Sequence, residues 1–402
     1  MASSSLLTTL LLLLVGILLA RLTASRLERW AVPAIVLELV VGFVLGNTLL
    51  PYAAIRPLAG LTELGVLTLF FQVGLEVRGD LLQSRRGAVL RTVALSALTP
   101  LLAWGPLQAG FQLPGATTLL CLAVLSATGT GVTLRLLAQR QALGTPSGRL
   151  LVGVSVLDDL PAIGLLSLAM AQGSAQARAA GQAAFQSPGL PGLLLGLGLA
   201  ALSYWGVERW RSRQSPRRPD LLTILLLLIS CAWVGEASGL TSLLGALWAG
   251  VLLGRLLPQG PDSPEEQRLR GQLTLLSEVF LPLYFLSVGM RVSAATLLNP
   301  AAWGLAAVLT VLALLCKAVC GLGVRSGDRA AGVDPQVVVY GLIPRGLPGL
   351  VFATSALAAG LIDAVQFSAL VLMVTVTTVL GLVLLGRRLR QLEAATAPTS
   401  SP

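Results

Sequence analysis

Histidine is missing altogether from the 402 residues, which removes a histidine pH switch and a histidine-ligated metal from consideration. Lysine occurs once, at position 317, against 27 arginines. Charge of either sign is scarce: Asp, Glu, Lys and Arg make up 11% of the chain, while 55% is hydrophobic. A soluble domain of this length carries far more charge, so the composition is that of a polytopic membrane protein. Cysteine is limited to Cys121, Cys231, Cys316 and Cys320, each inside an apolar segment. Cys316 and Cys320 share a helix face, but two thiols without further ligands make no zinc site, and all four read as core residues. No basic region precedes the first apolar stretch, Ser5 to Ala20, which favours a retained first span over a cleaved signal peptide.

The net charge of +10 could suggest nucleic acid, but the arginines fall in short clusters between apolar runs. That placement reads as membrane topology. Thirteen runs qualify as spans, near 5–21, 32–50, 60–77, 87–105, 116–138, 148–171 and 189–208, then 220–236, 239–257, 272–290, 301–323, 335–360 and 365–386. With the N-terminus outside and the C-terminus in the cytoplasm, 23 arginines fall on inside connections and only Arg56, Arg178 and Arg291 outside. This is the positive-inside rule in strong form. The polar stretch 391–402 is expected to be a disordered tail following a transmembrane domain of 1–390, with no cytosolic regulatory domain after it.

An internal repeat links span 3 to span 10. The run Phe70-Phe71-Gln72-Val73-Gly74-Leu75-Glu76-Val77 matches Phe285-Leu286-Ser287-Val288-Gly289-Met290-Arg291-Val292 at four of eight positions. Spans 1–6 and 8–13 are then two copies joined by span 7, and an odd linker makes them inverted. Spans 5 and 12 should correspond, and both are interrupted. Span 5 contains Ser126-Ala127-Thr128-Gly129-Thr130-Gly131, and span 12 contains Ile343-Pro344-Arg345-Gly346-Leu347-Pro348-Gly349. Broken helices in matching positions of two halves point to a transporter binding site, because unwound backbone survives at membrane depth only where protein or a cavity covers it. The expected fold is therefore all-α, with about 13 transmembrane helices in two inverted repeats of six and two broken crossing helices.

Ionisable residues inside spans are costly and so mark function by default. Asp158 and Asp159 are adjacent in span 6, Asp158 lying ten residues beyond Gly148 or ~15 Å into the membrane. Neighbours on a helix point about 100° apart, so one carboxylate can meet a fixed partner while the other faces a pathway. Lys317 lies in span 11, eight residues before Arg325, at a similar depth of ~12 Å. Unlike arginine, a buried lysine can lose its proton within a usable pH range. Arg345 stands at the break of span 12 as a structural charge. Its partner is either Glu38, buried in span 2, or a backbone carbonyl or helix end.

These residues resemble the monovalent cation/proton antiporters, in the branch of bacterial sodium/proton exchangers with a two-aspartate motif. The resemblance rests on Leu125-Ser126-Ala127-Thr128-Gly129-Thr130, on Leu134-Arg135-Leu136-Leu137, and on Leu143-Gly144-Thr145-Pro146-Ser147-Gly148-Arg149. Asp158-Asp159, Lys317 and Ile343-Pro344-Arg345-Gly346 complete it. It implies that Asp159 carries the ion or proton, that Asp158 pairs with Lys317, and that Thr128 and Thr130 lie at an unwound crossing. It also implies a homodimer in which a core of 87–171 and 301–386 moves against a dimerisation part of 5–77 and 220–290, with 189–208 as linker helix. One departure stands out: the glutamate that often follows the Pro-Arg-Gly motif is replaced here by Leu347.

The sequence thus reads as an antiporter, not an enzyme, exchanging Na+ or another monovalent cation for H+ without a cofactor. The transported Na+ would bind at Asp159, and the partners are small cations, protons and membrane lipid, with no nucleic acid. A potassium-selective exchanger or efflux system is the nearest alternative. An intramembrane aspartyl protease would need aspartates on two helices, and a channel would need a filter-like loop; neither feature is present.

Overall fold

The computed structural model describes residues 6–27, 33–76, 86–179, 189–211, 220–238, 241–256 and 264–396, and every regular element among them is a helix. The first half comprises α1 (Leu6–Leu27), α2 (Ala34–Thr48) and α3 (Ala59–Glu76), then α4 (Arg86–Leu98) and α5 (Trp104–Phe111). It continues with α6 (Gly115–Ser126), α7 (Thr130–Gln139) and α8 (Pro146–Ala179), and α9 (Gly189–Arg211) leads to the second half. That half holds α10 (Leu221–Ala237), α11 (Ser242–Leu256), α12 (Pro264–Arg291), the single turn α13 (Ala294–Leu297) and α14 (Pro300–Cys320). It ends with α15 (Ser326–Ala330), α16 (Pro335–Leu342), α17 (Gly346–Ala358) and α18 (Ala364–Thr396).

All thirteen apolar runs contain helix, but not all are equal. Nine helical stretches among the described residues are long and apolar enough to cross a membrane, whereas α2, α10 and α11 are shorter apolar helices of 15 to 17 residues. At ~1.5 Å per residue these reach about 22–26 Å, less than a ~30 Å hydrocarbon layer. The number thirteen therefore remains an expectation, while the all-helical membrane architecture is established. One boundary needs correction. Helix α18 runs to Thr396, so 391–396 is not disordered tail; Glu393 lies 3.5 Å from Arg140, and the Gln-Leu-Glu-Ala-Ala run favours helix. Residues 397–402 lie outside the described residues.

The helices sort into two bundles. In one, α3 packs on α11, α12 on both α2 and α3, and α10 on α11. In the other, α8 packs on α4 and α6, and α18 on α14, α16 and α17. Tyr284 bonds Thr354 directly across them at 2.8 Å, and the short α13 bridges them, the Ala294 N–H donating to Asn47 of α2 at 2.9 Å and Thr296 bonding Ser368 of α18 at 2.8 Å. Ion pairs hold one end of the second bundle: Arg388 to Asp334, the N-cap of α16, at 2.6 Å, and Arg91 to Asp328 at 2.7 Å.

The first bundle carries the repeat in its packing. A Cβ on Gly42 would lie 2.2 Å from the Leu286 carbonyl, and one on Gly250 2.0 Å from the Phe71 carbonyl. Reciprocally, a Cβ on Gly289 would meet the Leu39 carbonyl at 2.1 Å, and one on Gly74 the Leu247 carbonyl at 2.0 Å. Leu286 and Phe71 are equivalent in the repeat, as are Gly289 and Gly74. The contact of α2 with α12 is therefore reproduced by that of α11 with α3, as a twofold exchange of halves requires. Glycine lets these backbones approach where lipid gives helices no hydrophobic reason to associate.

This packing predicts an asymmetry among glycines. Gly250→Ala should destabilise the protein by about 1–3 kcal/mol, because α3 and α11 must separate to admit the methyl. Gly304→Ala, in open space on α14, should be neutral or slightly stabilising. Melting of the detergent-purified variants checks both; equal melting temperatures would contradict the close approach.

Candidate functional site

Both interrupted spans are broken over three residues. Ala127-Thr128-Gly129 separates α6 from α7, and Ile343-Pro344-Arg345 separates α16 from α17. The breaks lie against each other: the Gly129 N–H donates to the Pro344 carbonyl at 2.5 Å, and a Cβ on Gly129 would fall 2.7–2.9 Å from Arg345 and Gly346 backbone. Gly346 takes a positive φ of 44°, which a side chain would strain, and its N–H donates to Thr378 of α18. Thr133 of α7 donates to the Gly341 carbonyl at the end of α16 at 2.8 Å.

A broken helix leaves carbonyls at its C-terminal end without partners. At the end of α6 two cations take them. Arg345 Nη1 donates to the Val124 and Ala127 carbonyls, both at 3.1 Å, and Nη2 to the Ala313 carbonyl of α14 at 3.1 Å. Lys317 Nζ donates to the Ser126 carbonyl at 2.9 Å. Of the two partners considered for Arg345, the backbone is the one found. Glu38 is buried on α2, which packs on α12 and α1, away from the crossing. The pairing of Glu38 with Arg345 is thus ruled out: a planar fork of donors suits several carbonyls at once, and these carry no sequence letter.

Lys317 and the aspartates come together as spacing and depth suggested. Lys317, Asp158 and Thr128 are fully buried and Asp159 nearly so. Lys317 Nζ lies 3.2 Å from Asp158 Oδ2 and donates to Thr128 Oγ1 at 2.8 Å. Thr128 in turn donates to Asp158 Oδ2. Helix α8 continues through Pro161, which supplies no N–H to the Leu157 carbonyl and so loosens the turn that bears the aspartates. Thr130 opens α7, and its side chain lies outside the described residues.

The two carboxylates differ in what they hold. Asp158 spends Oδ2 on lysine and threonine, whereas Oδ1 of Asp158 and Oδ1 of Asp159 are buried without a hydrogen-bond partner. A buried carboxylate oxygen left unpartnered is expensive, and a proton or a cation would satisfy it. Ser96 of α4 is a member of the cluster that sequence reasoning missed: its hydroxyl accepts from Lys317. The available signal was Thr92, Ser96 and Thr99 at i, i+4 and i+7 on one face of an apolar helix. Three of the four cysteines are buried and Cys231 is half-buried.

Comparison with known proteins bears on this arrangement. A family model described as "Sodium/hydrogen exchanger, transmembrane" matches residues 10–386. The chain is 27% identical over 333 residues to the high-affinity Na+/H+ antiporter NhaS3 of Synechocystis sp., covering 79% of this chain and 68% of that one. It is 25% identical over 375 residues to the Na+/H+-K+ antiporter GerN of Bacillus cereus, covering 90% and 92%. In fold it is similar to the sodium proton antiporter MjNhaP1 of Methanocaldococcus jannaschii at pH 8, with a TM-score of 0.64 at 18% identity over 96% of this chain and 97% of that one.

The geometry makes Arg345 a clamp on the crossing. Arg345→Met should cost about 2 kcal/mol or more by orphaning carbonyls at the end of α6, and Arg345→Lys should recover only part, lacking the fork. Thermal melting of both variants reads this out; full stability in Arg345→Met would remove the clamp.

Proposed function

The chain belongs to the sodium/hydrogen exchanger family, and on that premise we propose that it exchanges Na+ for H+ through one carboxylate, Asp159. The observation that carries the proposal is a division of labour between neighbours: each has one buried unpartnered oxygen, but Asp158 is engaged through its other oxygen by Lys317 and Thr128, whereas no cation is paired with Asp159 among the described residues. A carboxylate in that setting is satisfied by a proton or by a cation but not by both, and that competition is antiport in its simplest form. The hydroxyl of Thr128, beside Asp158, is an oxygen donor suited to an alkali cation.

Lys317 completes the cycle. A cation arriving beside Asp158 and Asp159 disfavours a nearby ammonium. Lysine then releases its proton as Asp158 is freed, and the exchange is electrogenic. Access alternates by an elevator-like motion of the bundle built from 87–171 and 301–386 against that built from 5–77 and 220–290. The latter part forms the homodimer, and the N-terminus lies outside with the C-terminus in the cytoplasm. K+/H+ exchange is the second reading, favoured by the likeness to an antiporter named for both Na+ and K+.

In proteoliposomes carrying a pH dye, Asp159→Asn should abolish the proton movement that added Na+, K+ or Li+ drives, while the protein stays folded. Wild-type exchange by that variant at any pH would sink the assignment, and the cation that drives wild type best decides between the two readings. Asp158→Asn should be milder in binding and altered in coupling. Lys317→Gln should respond less than wild type to an imposed membrane potential; an equal response would make the lysine only a brace.

A further inference from the structure

We propose that Tyr284 and Thr354, together with α13, form a latch that holds the two bundles closed at the end carrying α13. The inference rests on the alternating access of the exchange reading above. The bundles are tied at two levels on the same side of the crossing. Tyr284 lies seven residues before Arg291, the end of α12, and Thr354 eight residues beyond Gly346, the start of α17. Their 2.8 Å hydrogen bond thus sits ~12 Å along α17 from the break. Further along, where α13 ends the bundle, Thr296 meets Ser368 of α18 at 2.8 Å, and Ser368 is buried at that contact.

The latch has a held side and a releasable side. Asn47 of α2 grips the start of α13 at two points, its amide donating to the Val292 carbonyl and its oxygen accepting from the Ala294 N–H, both at 2.9 Å. The far end of α13 runs on into α14, where Trp303 donates to the Leu297 carbonyl at 2.7 Å, so α13 spans the joint between the bundles. Its contact with α18 is one pair of hydroxyls. Each of them also reaches a carbonyl of its own segment, Thr296 that of Ser293 at 2.7 Å and Ser368 that of Ala364 at 2.8 Å. Parting therefore leaves neither hydroxyl without an acceptor. Thr354 likewise donates to the Val351 carbonyl at 3.0 Å, which makes Tyr284 the donor in their bond. Tyr284 is the exception, because Thr354 is the one described partner of its hydroxyl and both residues are buried. Separation strands a phenol O–H in apolar surroundings until water enters. Tyr284 thus sets how readily this end opens, and the contact of α13 with α18 follows it.

The test places a thiol at the releasable contact. Ser368→Cys, in a Cys231→Ala background whose remaining native cysteines are buried, is alkylated with a maleimide in detergent-purified full-length protein. A closed latch covers the thiol and an open one exposes it. Adding Tyr284→Phe should raise the alkylation rate about fivefold, the scale of one neutral hydrogen bond. Thr354→Val should do the same, and the two together should do no more than either alone. Should Thr354→Val fail to fold, Thr354→Ala takes its place. Equal rates in every background, or increases that add, overturn the proposal. In proteoliposomes, Thr296→Cys/Ser368→Cys cross-linked by oxidation should lose Na+-driven proton movement and regain it on reduction; full exchange by the cross-linked protein overturns the proposal as well. A wild type inert to every alkali cation would end the exchange reading, while the alkylation rates, which need no transport, would still decide whether the latch exists.

Discussion

Two helices broken halfway along expose backbone that lipid cannot satisfy, and four buried charges, Arg345, Lys317, Asp158 and Asp159, sit where that backbone is. The end of α6 presents three carbonyls, those of Val124, Ser126 and Ala127, and Arg345 and Lys317 donate to all of them. Beside the break, the Thr128 hydroxyl donates to Asp158 and accepts from Lys317. The carbonyl end of a helix attracts cations, so the end of α6 is where lysine and arginine gather. Each charge is affordable at that depth only because the break exists, and the break is tolerated only because the charges are there.

The rest of the architecture keeps that crossing in register. Helices α4, α8, α14 and α18 enclose it, Thr378 of α18 takes the Gly346 N–H, and Thr133 ties α7 to the end of α16. Ion pairs at Asp334 and Asp328 pin the same bundle at its end. The other bundle is held by backbone contact at Gly42, Gly74, Gly250 and Gly289 and contributes no charge to the site. Between the two bundles run the Tyr284–Thr354 hydrogen bond and the bridge made by α13 from Asn47 to Ser368.

Much of this was legible in the residues themselves. Apolar runs located the helices, the Gly/Pro/Thr interruptions located both breaks, and the rarity of charge singled out Asp158, Asp159 and Lys317. What escaped has a physical reason in each case. Arg345 bonds to carbonyls, which every residue has, so a search for an acidic partner led to Glu38. Ser96 is one hydroxyl among many in apolar helices, most of which bond their own helix carbonyl, and only the neighbouring α14 gives it a task. The glycine contacts of α2 and α11 became visible as a repeat once α12 and α3 supplied the opposing carbonyls. Helix α18 outlasted its apolar run because helix formers and an ion pair continued it.

The central claim is that one carboxylate serves proton and cation in turn. The direct measurement is proton release on adding Na+ to unbuffered, detergent-purified protein, with Asp159→Asn beside it. The account predicts that Na+ displaces protons from the wild type over the pH range in which it exchanges, and none from the variant. Sodium binding without proton release, or equal release from Asp159→Asn, would contradict it.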